Sequence, residues 1–304
     1  MDQCDRFRGC LLGLAAGDAV GTTVEFRPRG TFERLTDMTG GGPFNLLAGQ
    51  WTDDASMALC LATSLLERNA FDAHDQMERY SRWADEGYLS SNGACFDIGR
   101  TVHSALQRFQ QTGDPYSGSS DPGSAGNGCI MRLAPIPMFF FPDLDEVERF
   151  AGESSKTTHA ATECVDACRL FGRIICRALM GKPKNEVAYG DSESFAGAEK
   201  IVAIAQGGYR EKSVAGVRGS GYVVESLEAA MWCFIHTDSF KDAILMAANL
   251  GDDADTTAAV CGQVAGAYYG VSGIPSGWLE RLALRSEIAR LADRLSGRTQ
   301  RYNF

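Results

Sequence analysis

The sequence predicts an all-α protein. Ala and Leu outnumber the β-branched residues in most of its periodic stretches, apolar residues recur at helical spacing, and strand signals are few. The chain has 304 residues, of which 44% are hydrophobic, and it shows no long linker. These features favour one large domain over residues 1–304.

The first periodic stretch, residues 6–20, predicts a helix in spite of its three glycines. Gly9, Gly13 and Gly17 lower the helix propensity, so a helix that keeps them needs close approach to a neighbour. Residues 27–50 are rich in Gly and Pro and predict a loop. Further helices are expected to follow Trp51, over 71–86 (ending at Gly87), 101–111, 163–180, 225–236 and 278–295, and on both sides of residues 251–257.

Charge and cysteine usage exclude several classes of function. A net charge of -10 without a Lys/Arg cluster argues against a nucleic-acid surface. No apolar run reaches the ~18 residues of a membrane span. The ten cysteines are scattered without a CxxC pair, and no secretory leader is visible. We therefore expect reduced thiols in a cytoplasmic protein.

The most informative stretch is the turn at residues 251–257, which holds Asp252, Asp253 and Asp255. Carboxylates this close repel one another unless a cation neutralises them. With the Thr256 hydroxyl, Asp253 and Asp255 form an all-oxygen set that suits Mg²⁺ or Mn²⁺. The alternative for one acid is helix capping, with Asp255, Thr256 or Thr257 as the N-cap of the next helix.

Residues 51–57 form a second acid-rich helix start, with Thr52, Asp53 and Asp54. Acids in a first helical turn are favourable on dipole grounds alone, so a structural role is an equal alternative. Two such starts far apart in sequence, however, are able to build one cation site across a bundle.

Three further acids, Asp18, Glu25 and Asp97, lie at predicted turns. Each is either a cap or a solvated turn residue, or a carboxylate with a chemical role.

A flexible loop, residues 113–128, leads into Asn127 and Gly128. A glycine turn opening a helix at Gly128 would offer N–H groups to an oxyanion, with Arg132 adding charge. His159, at a predicted helix start, is more often a capping or core residue than a ligand. A second glycine-rich loop, formed by residues 207–209 and 216–222, would bring Tyr222 onto a flat ring.

Taken together, these stretches resemble the ADP-ribosylglycohydrolase family over nearly the whole chain. The family's G-D-A-x-G and V-E-F are matched within residues 17–26, its T-D-D-x-x-M by 52–57, its N-G-x-x-M-R-x-x-P by 127–135, its T-H by 158–159 and its G-x-D-x-D-T by 251–256. The chain differs in carrying Ala55 and Ala254 where Thr is frequent, and Asp252 where Gly is usual.

The resemblance implies a compact orthogonal helical bundle with a dinuclear Mg²⁺ or Mn²⁺ centre in a central ADP-ribose cleft. It implies catalytic roles for Asp97 and Glu25. The implied metal ligands are Thr52, Asp53, Asp54, Asp253, Asp255 and Thr256, and the implied substrate-binding residues are Asn127, Gly128, Met131, Arg132, His159 and Tyr222.

The activity implied is metal-dependent removal of ADP-ribose from a modified protein, most similar to the bacterial branch that acts on arginine. The expected partners are an ADP-ribosylated protein and ADP-ribose, with a toxin as a further candidate, and neither nucleic acid nor membrane. The alternatives are a non-catalytic ADP-ribose-binding or structural member of the family, and a hydrolase of serine-linked adducts or O-acetyl-ADP-ribose.

Overall fold

A computed structural model describes residues 1–299, and over this range the chain is helical with only isolated β-bridges. The all-α prediction is confirmed. The helices are α1 (Gln3–Gly21), α2 (Asp53–Arg68), α3 (Ala73–Glu86), α4 (Arg100–Thr112), α5 (Pro135–Phe139), α6 (Leu144–Lys156), α7 (Thr162–Leu179), α8 (Lys184–Tyr189), α9 (Glu199–Ala205), α10 (Val223–Ile235), α11 (Phe240–Ala248), α12 (Ala254–Tyr269), α13 (Ser276–Arg281) and α14 (Arg285–Thr299). None of the described helices is both long enough and apolar enough to cross a bilayer.

The centre of the molecule is the pair α1 and α12, which run antiparallel in close contact. A Cβ atom placed on Gly9 would lie 2.2 Å from the carbonyl oxygen of Gly266, and one on Gly17 would lie 2.2 Å from that of Ala258. The glycines of α1 therefore let the two backbones touch, as the sequence predicts. This contact sets the end of α1, which carries Asp18, beside the start of α12, which carries Asp255.

We expect Gly17→Ala to lower the free energy of unfolding by about 1–3 kcal/mol, because the added methyl group overpacks the α1–α12 contact. The measurement is chemical denaturation of the metal-free protein. Gly297→Ala is the matched control, since Gly297 also lies in a helix but a Cβ placed on it would meet no atom of residues 1–299 within 4 Å. The free energy of unfolding of the control variant should instead rise by up to about 1 kcal/mol, because alanine has a higher helix propensity than glycine. Equal stabilities of the two variants would contradict this account of the α1–α12 contact.

A second, smaller core lies between α2, α3 and α4. Met57, Tyr80, Trp83 and Leu106 are buried in it, and Cys95 and Ile98 pack against its edge. The segment that carries Asp97 is thereby anchored beside α2.

Two helix predictions were wrong. No helix opens at Gly128: residues 128–132 form turns, and the next helix, α5, begins only at Pro135. Pro135 and Pro137 lack N–H donors, and proline disfavours helical geometry in the residue before it, so the region favours turns and a short helix. His159, which is expected at a helix start, lies in the loop between α6 and α7, shortly before α7 begins at Thr162.

The predicted terminal helix over 278–295 is divided into α13 and α14. The break follows from a contact with the segment before α2: Ala283 N–H donates to the Gly49 carbonyl at 2.9 Å, and the Trp51 indole donates to the Ala283 carbonyl at 3.2 Å. The apolar residues keep helical spacing through this break. The contacts that cause the break are made with a distant segment, so they leave no pattern in the local sequence. Helices α6, α8 and α9 also lie in stretches where no helix is predicted from the sequence.

Candidate active site

The two acid-rich helix starts meet. Thr52 Oγ1, before α2, lies 3.3 Å from Asp54 Oδ2 and 3.4 Å from Asp255 Oδ2 of α12. Thr256 Oγ1 lies 3.3 Å from the same Asp54 oxygen. Residues separated by about 200 positions in sequence thus form one cluster of oxygen atoms, which we call the acid cluster: Thr52, Asp53, Asp54, Asp253, Asp255 and Thr256.

Capping does not explain these acids. Asp53 and Asp54 lie inside the first turn of α2 rather than at its N-cap. The N-cap is Thr52, and its side chain makes no capping hydrogen bond. The N-cap of α12 is Asp253, not Asp255, Thr256 or Thr257 as the capping alternative proposed, and it makes no side-chain capping bond either. Side-chain capping therefore does not account for the acid cluster, although the first-turn positions of Asp53 and Asp54 also suit the helix dipole.

The cap of α2 comes from another helix. Asp18 of α1 is fully buried, and its Oδ1 accepts from the Thr52 N–H at 2.9 Å and from the Thr52 hydroxyl at 3.0 Å. Its Oδ2 accepts from the Ala55 N–H at 3.0 Å. A carboxylate here also suits the positive end of the helix dipole. Asp18 thus fixes the start of α2, and sequence reasoning, which left its role open, had no signal for its partners.

Asp253 is held from the opposite side. Its Oδ2 accepts from the Asn127 amide at 2.7 Å, and its N–H donates to the Gly219 carbonyl at 2.9 Å. The Asn127 N–H donates in turn to the Gly221 carbonyl at 3.0 Å. The glycine-rich segment 216–221 therefore joins the loop at Asn127 to the start of α12.

Glu25 and Asp97 lie over the acid cluster. One oxygen each of Glu25, Asp97 and Asp255 lie within 4.8 Å of one another, a spacing that a single cation is able to bridge. The Phe26 N–H donates to the Asp252 carbonyl at 2.7 Å, which ties the Glu25 segment to the turn before α12. Glu25 and Asp97 therefore line the cleft, and they also lie beside Asp255, one of the candidate metal ligands.

The cluster fits a divalent cation. Asp54 is fully buried and Asp255 is 1% exposed, yet Oδ1 of each accepts no hydrogen bond within residues 1–299, and the same holds for Glu25 Oε2. Buried carboxylate oxygens without partners are costly. An all-oxygen donor set with several negative charges is the environment that Mg²⁺ and Mn²⁺ prefer.

The electrostatics point the same way. Burial, together with the neighbouring carboxylates of Asp18 and Asp255, raises the pKa of Asp53 and Asp54 well above the ordinary Asp value. Burial and then Asp255 raise the pKa of Asp253 to about 8. Positive charge at the cluster would reverse these shifts.

A cleft of about 810 Å³ opens above the cluster, a size typical of small-molecule sites. Thr52 and Asp54 lie beneath its floor. Sequence-predicted residues that line it are Glu25, Asp53, Asp97, Asn127, Gly128, Met131, His159, Asp253, Asp255 and Thr256, and sequence reasoning missed Phe26, Arg100, Arg218 and Ser220. Arg218 and Ser220 lie within the glycine-rich loop that the sequence did single out, so proximity to it was an available signal.

His159 forms part of one wall. It is 2% exposed, its Nδ1 lies 2.8 Å from Thr158 Oγ1, and a Cβ on Gly128 would lie 2.9 Å from its Cε1. Burial, with Arg132 nearby, lowers the pKa of His159 to about 4. The ring is therefore neutral at neutral pH, and only glycine at position 128 lets the chain cross it this closely.

Two predicted substrate-binding residues do not reach the cleft. Arg132 is fully buried beneath the loop, where its guanidinium donates to the Gly128 carbonyl at 2.8 Å and the Thr158 hydroxyl at 2.6 Å and stacks on Tyr80. The turn at residues 127–131 directs it inward, since the N–H groups of residues 130 and 131 both donate to the Asn127 carbonyl. Arg132 thus supports the wall.

Tyr222 also faces away. Its hydroxyl donates to Glu163 Oε2 at 2.5 Å and accepts from Lys200 Nζ at 2.7 Å, on the outer side of the glycine-rich loop. These two partners fix the ring against α7 and α9, and neither contact has a local sequence signal.

The known proteins that are similar to this chain agree with the family that its motifs resemble. A sequence model described as ADP-ribosylglycohydrolase matches residues 1–303. The chain is 46% identical to ADP-ribosylarginine hydrolase Tri1 of Pseudomonas putida (strain GB-1), over 97% of this chain and 78% of that protein. It is 44% identical to the protein of that name from Serratia proteamaculans (strain 568), over 97% and 80%.

More distant relatives and a solved structure agree. The chain is 33% identical to the ADP-ribosyl-[dinitrogen reductase] glycohydrolase of Rhodospirillum rubrum, over 96% of this chain and 95% of that protein. A solved structure described as an ADP-ribosylglycohydrolase-related protein complex superposes with a TM-score of 0.84 at 41% identity, covering 97% of this chain and 98% of the other.

Proposed function

The chain belongs to the ADP-ribosylglycohydrolase family, and from that premise we propose that it is a hydrolase that releases ADP-ribose from modified arginine side chains of proteins. The observation that carries the proposal is the acid cluster on the floor of the cleft, with Glu25 and Asp97 directly beside it. The arginine linkage is supported by the relatives at 44% and 46% identity, whose names specify that substrate.

We propose two divalent ions, Mg²⁺ or Mn²⁺, as cofactors, held by the acid cluster. The unpartnered oxygens of Asp54 and Asp255 support this assignment. Bound divalent ions supply positive charge that attracts ribose hydroxyls and lowers the pKa of a nearby water.

The reaction is the hydrolysis of an N-glycosidic bond. The bond between the ribose C1′ and the guanidino nitrogen breaks, the oxygen of a water molecule bonds to C1′, and one proton of that water passes to the nitrogen. We assign this proton transfer to Asp97, with Glu25 as the second carboxyl in reach. Asp97 lines the cleft, and one of its carboxyl oxygens lies within 4.8 Å of an oxygen of Asp255, so the proposed proton carrier is beside the proposed metal ligands.

The ADP-ribose itself is bound by the wall opposite. No helix dipole is available at Gly128, but this residue lines the cleft and its N–H donates to no backbone oxygen in the described chain. We propose that this N–H, with the side chains of Arg100 and Arg218, contacts the diphosphate, which offsets the repulsion from a chain of net charge -10. Neutral His159 and Met131 provide apolar wall surface.

We further propose that the protein acts in the cytoplasm, on an ADP-ribosylated protein. All ten cysteines are free, eight of them buried, as is typical of a reducing compartment. A toxin that modifies arginine remains a candidate source of the substrate.

The experiment is a release assay with the purified, metal-stripped protein. We expect added Mg²⁺ or Mn²⁺ to restore release of ADP-ribose from an arginine-modified protein, and a serine-modified protein to be cleaved more slowly. Binding of ADP-ribose without turnover on either substrate, while a hydrolase of known activity cleaves both, would instead identify a non-catalytic family member. Faster cleavage of the serine linkage would contradict the arginine assignment.

A further inference from the structure

Three phenylalanine rings form a row beside the cleft. The rings of Phe26 and Phe44 are 6.4 Å apart between centroids and nearly perpendicular, at 76°. Those of Phe44 and Phe96 are 5.2 Å apart. Phe26 lines the cleft and is 64% exposed, and the other two are half-buried. We call Phe26, Phe44 and Phe96 the aromatic rim.

The rim is joined directly to the two candidate catalytic acids. Phe26 follows Glu25 in the chain, and Phe96 precedes Asp97. Phe26 and Asp97 both have a φ of 61°, in the left-handed region that side-chain-bearing residues seldom adopt. Strained backbone is retained where surrounding contacts enforce it, and it is common at functional sites. Here the two strained positions lie at the places where an aromatic residue and a candidate catalytic acid adjoin in the chain.

The third ring is fixed in place by its own turn. Gly41 and Leu46 exchange two backbone hydrogen bonds, of 2.8 and 2.9 Å, around the turn that carries Phe44. A Cβ on Gly42 would lie 2.1 Å from the carbonyl oxygen of Thr22, so this turn lies directly on the end of α1. These contacts hold the turn that carries Phe44 against the end of α1.

We propose that the aromatic rim receives the guanidinium and aliphatic stem of the modified arginine and thereby makes the site selective for arginine-linked ADP-ribose. The inference rests on the proposed function. The bond to be cleaved lies at Glu25 and Asp97, so the rest of the substrate side chain leaves the cleft past the rings adjoining these acids. A guanidinium is a planar cation that stacks on aromatic faces. A serine-linked ADP-ribose is attached through a neutral oxygen atom, which has neither the positive charge nor the planar group that would stack on an aromatic ring.

The test compares Phe26→Leu and Phe96→Leu with the parent, because leucine keeps apolar bulk but removes the ring. With an arginine-linked peptide we expect KM to rise by about 3- to 30-fold, the range of a cation–π contact, with little change in kcat. The affinity for free ADP-ribose, measured by calorimetry, is expected to stay at the parent value. The preference for arginine-linked over serine-linked peptide should shrink accordingly.

Phe150→Leu is the matched control. Phe150 stacks on Phe140 at 4.3 Å in a different aromatic cluster, which lines another cavity. The Phe150→Leu variant should lose the ring contact with Phe140, while its KM for the arginine-linked peptide stays at the parent value. Thermal unfolding of all three variants shows whether the rim variants keep the parent fold.

Two results would overturn the proposal. A parent-like KM in both rim variants would show that the rings do not contact the arginine. An equal loss of affinity for free ADP-ribose would show that they hold the adenine instead. If the parent itself left the arginine linkage intact, the proposed function would fail first and the rim proposal with it, whereas cleavage by the parent with unaffected variants would remove the rim proposal alone.

Discussion

Replacing Asp54 by alanine is expected to reduce kcat/KM for release of ADP-ribose from arginine by roughly 10³-fold or more, the scale of losing transition-state charge stabilisation. Asp54 is the buried residue whose Oδ2 lies 3.3 Å from hydroxyls of both Thr52 and Thr256, so it connects the two halves of the acid cluster. The measurement is a steady-state assay at saturating Mn²⁺. Activity within tenfold of the parent would contradict the role given to the cluster.

The same variant separates loss of function from loss of fold. Burial raises the pKa of Asp54, so an ionised Asp54 opposes folding, and its removal should leave the metal-free protein at least as stable as the parent. Because Asp253 is present in both proteins, the parent and the variant should both lose metal-free stability with rising pH. Because the folded-state pKa of Asp253 is about 8, against an ordinary 3.8, this loss occurs between about pH 4 and pH 8. Denaturation in the presence of a chelator measures both effects.

Asp97→Asn is expected to have the second largest effect, a fall in kcat of about 10²- to 10⁴-fold, because the amide cannot transfer the proton. Asparagine preserves the shape of the side chain and tolerates the left-handed backbone at this position. Affinity for Mn²⁺ and for ADP-ribose should remain near the parent value.

Asp97 lies close enough to Glu25 and Asp255 to bind a cation itself, so Mn²⁺ binding decides its role. A fall in Mn²⁺ affinity that matches the fall in rate would make Asp97 a metal ligand rather than the proton carrier. Glu25→Gln, measured in parallel, shows whether the second carboxyl shares the proton transfer.

The features that sequence predicts well are those with a local physical cause. Crowded acids at residues 252–255 repel one another and favour a neutralising cation, and the glycines of α1 favour a close neighbour whichever helix provides it. The identity of that neighbour, α12, followed only from the structure. Asp252 is informative here too: its φ of 58° explains why glycine is usual at this position in the resembling family.

The features that sequence did not predict depend on contacts between distant segments. Asp18 caps a helix that starts 35 residues later, at Asp53, and nothing near Asp18 distinguishes that role from an ordinary turn. Arg132 and Tyr222 have the residue types expected of ligand-binding side chains, yet the buried Thr158 holds the first and the surface pair Glu163 and Lys200 holds the second away from the cleft. A motif fixes which residues are present, whereas side-chain direction depends on the packing around them.

The most direct test of a shared metal site is calorimetric titration of the metal-stripped protein with Mn²⁺. The parent, Asp54→Ala on α2 and Asp255→Ala on α12 are to be compared. If the two helix starts hold the same ions, the parent binds Mn²⁺ and each single change, on either helix, weakens that binding by at least about tenfold, since even the loss of a residue that only orients a metal ligand costs about that much. Parent-like binding in either variant, or no binding by the parent, would contradict the shared site and the hydrolase mechanism built on it.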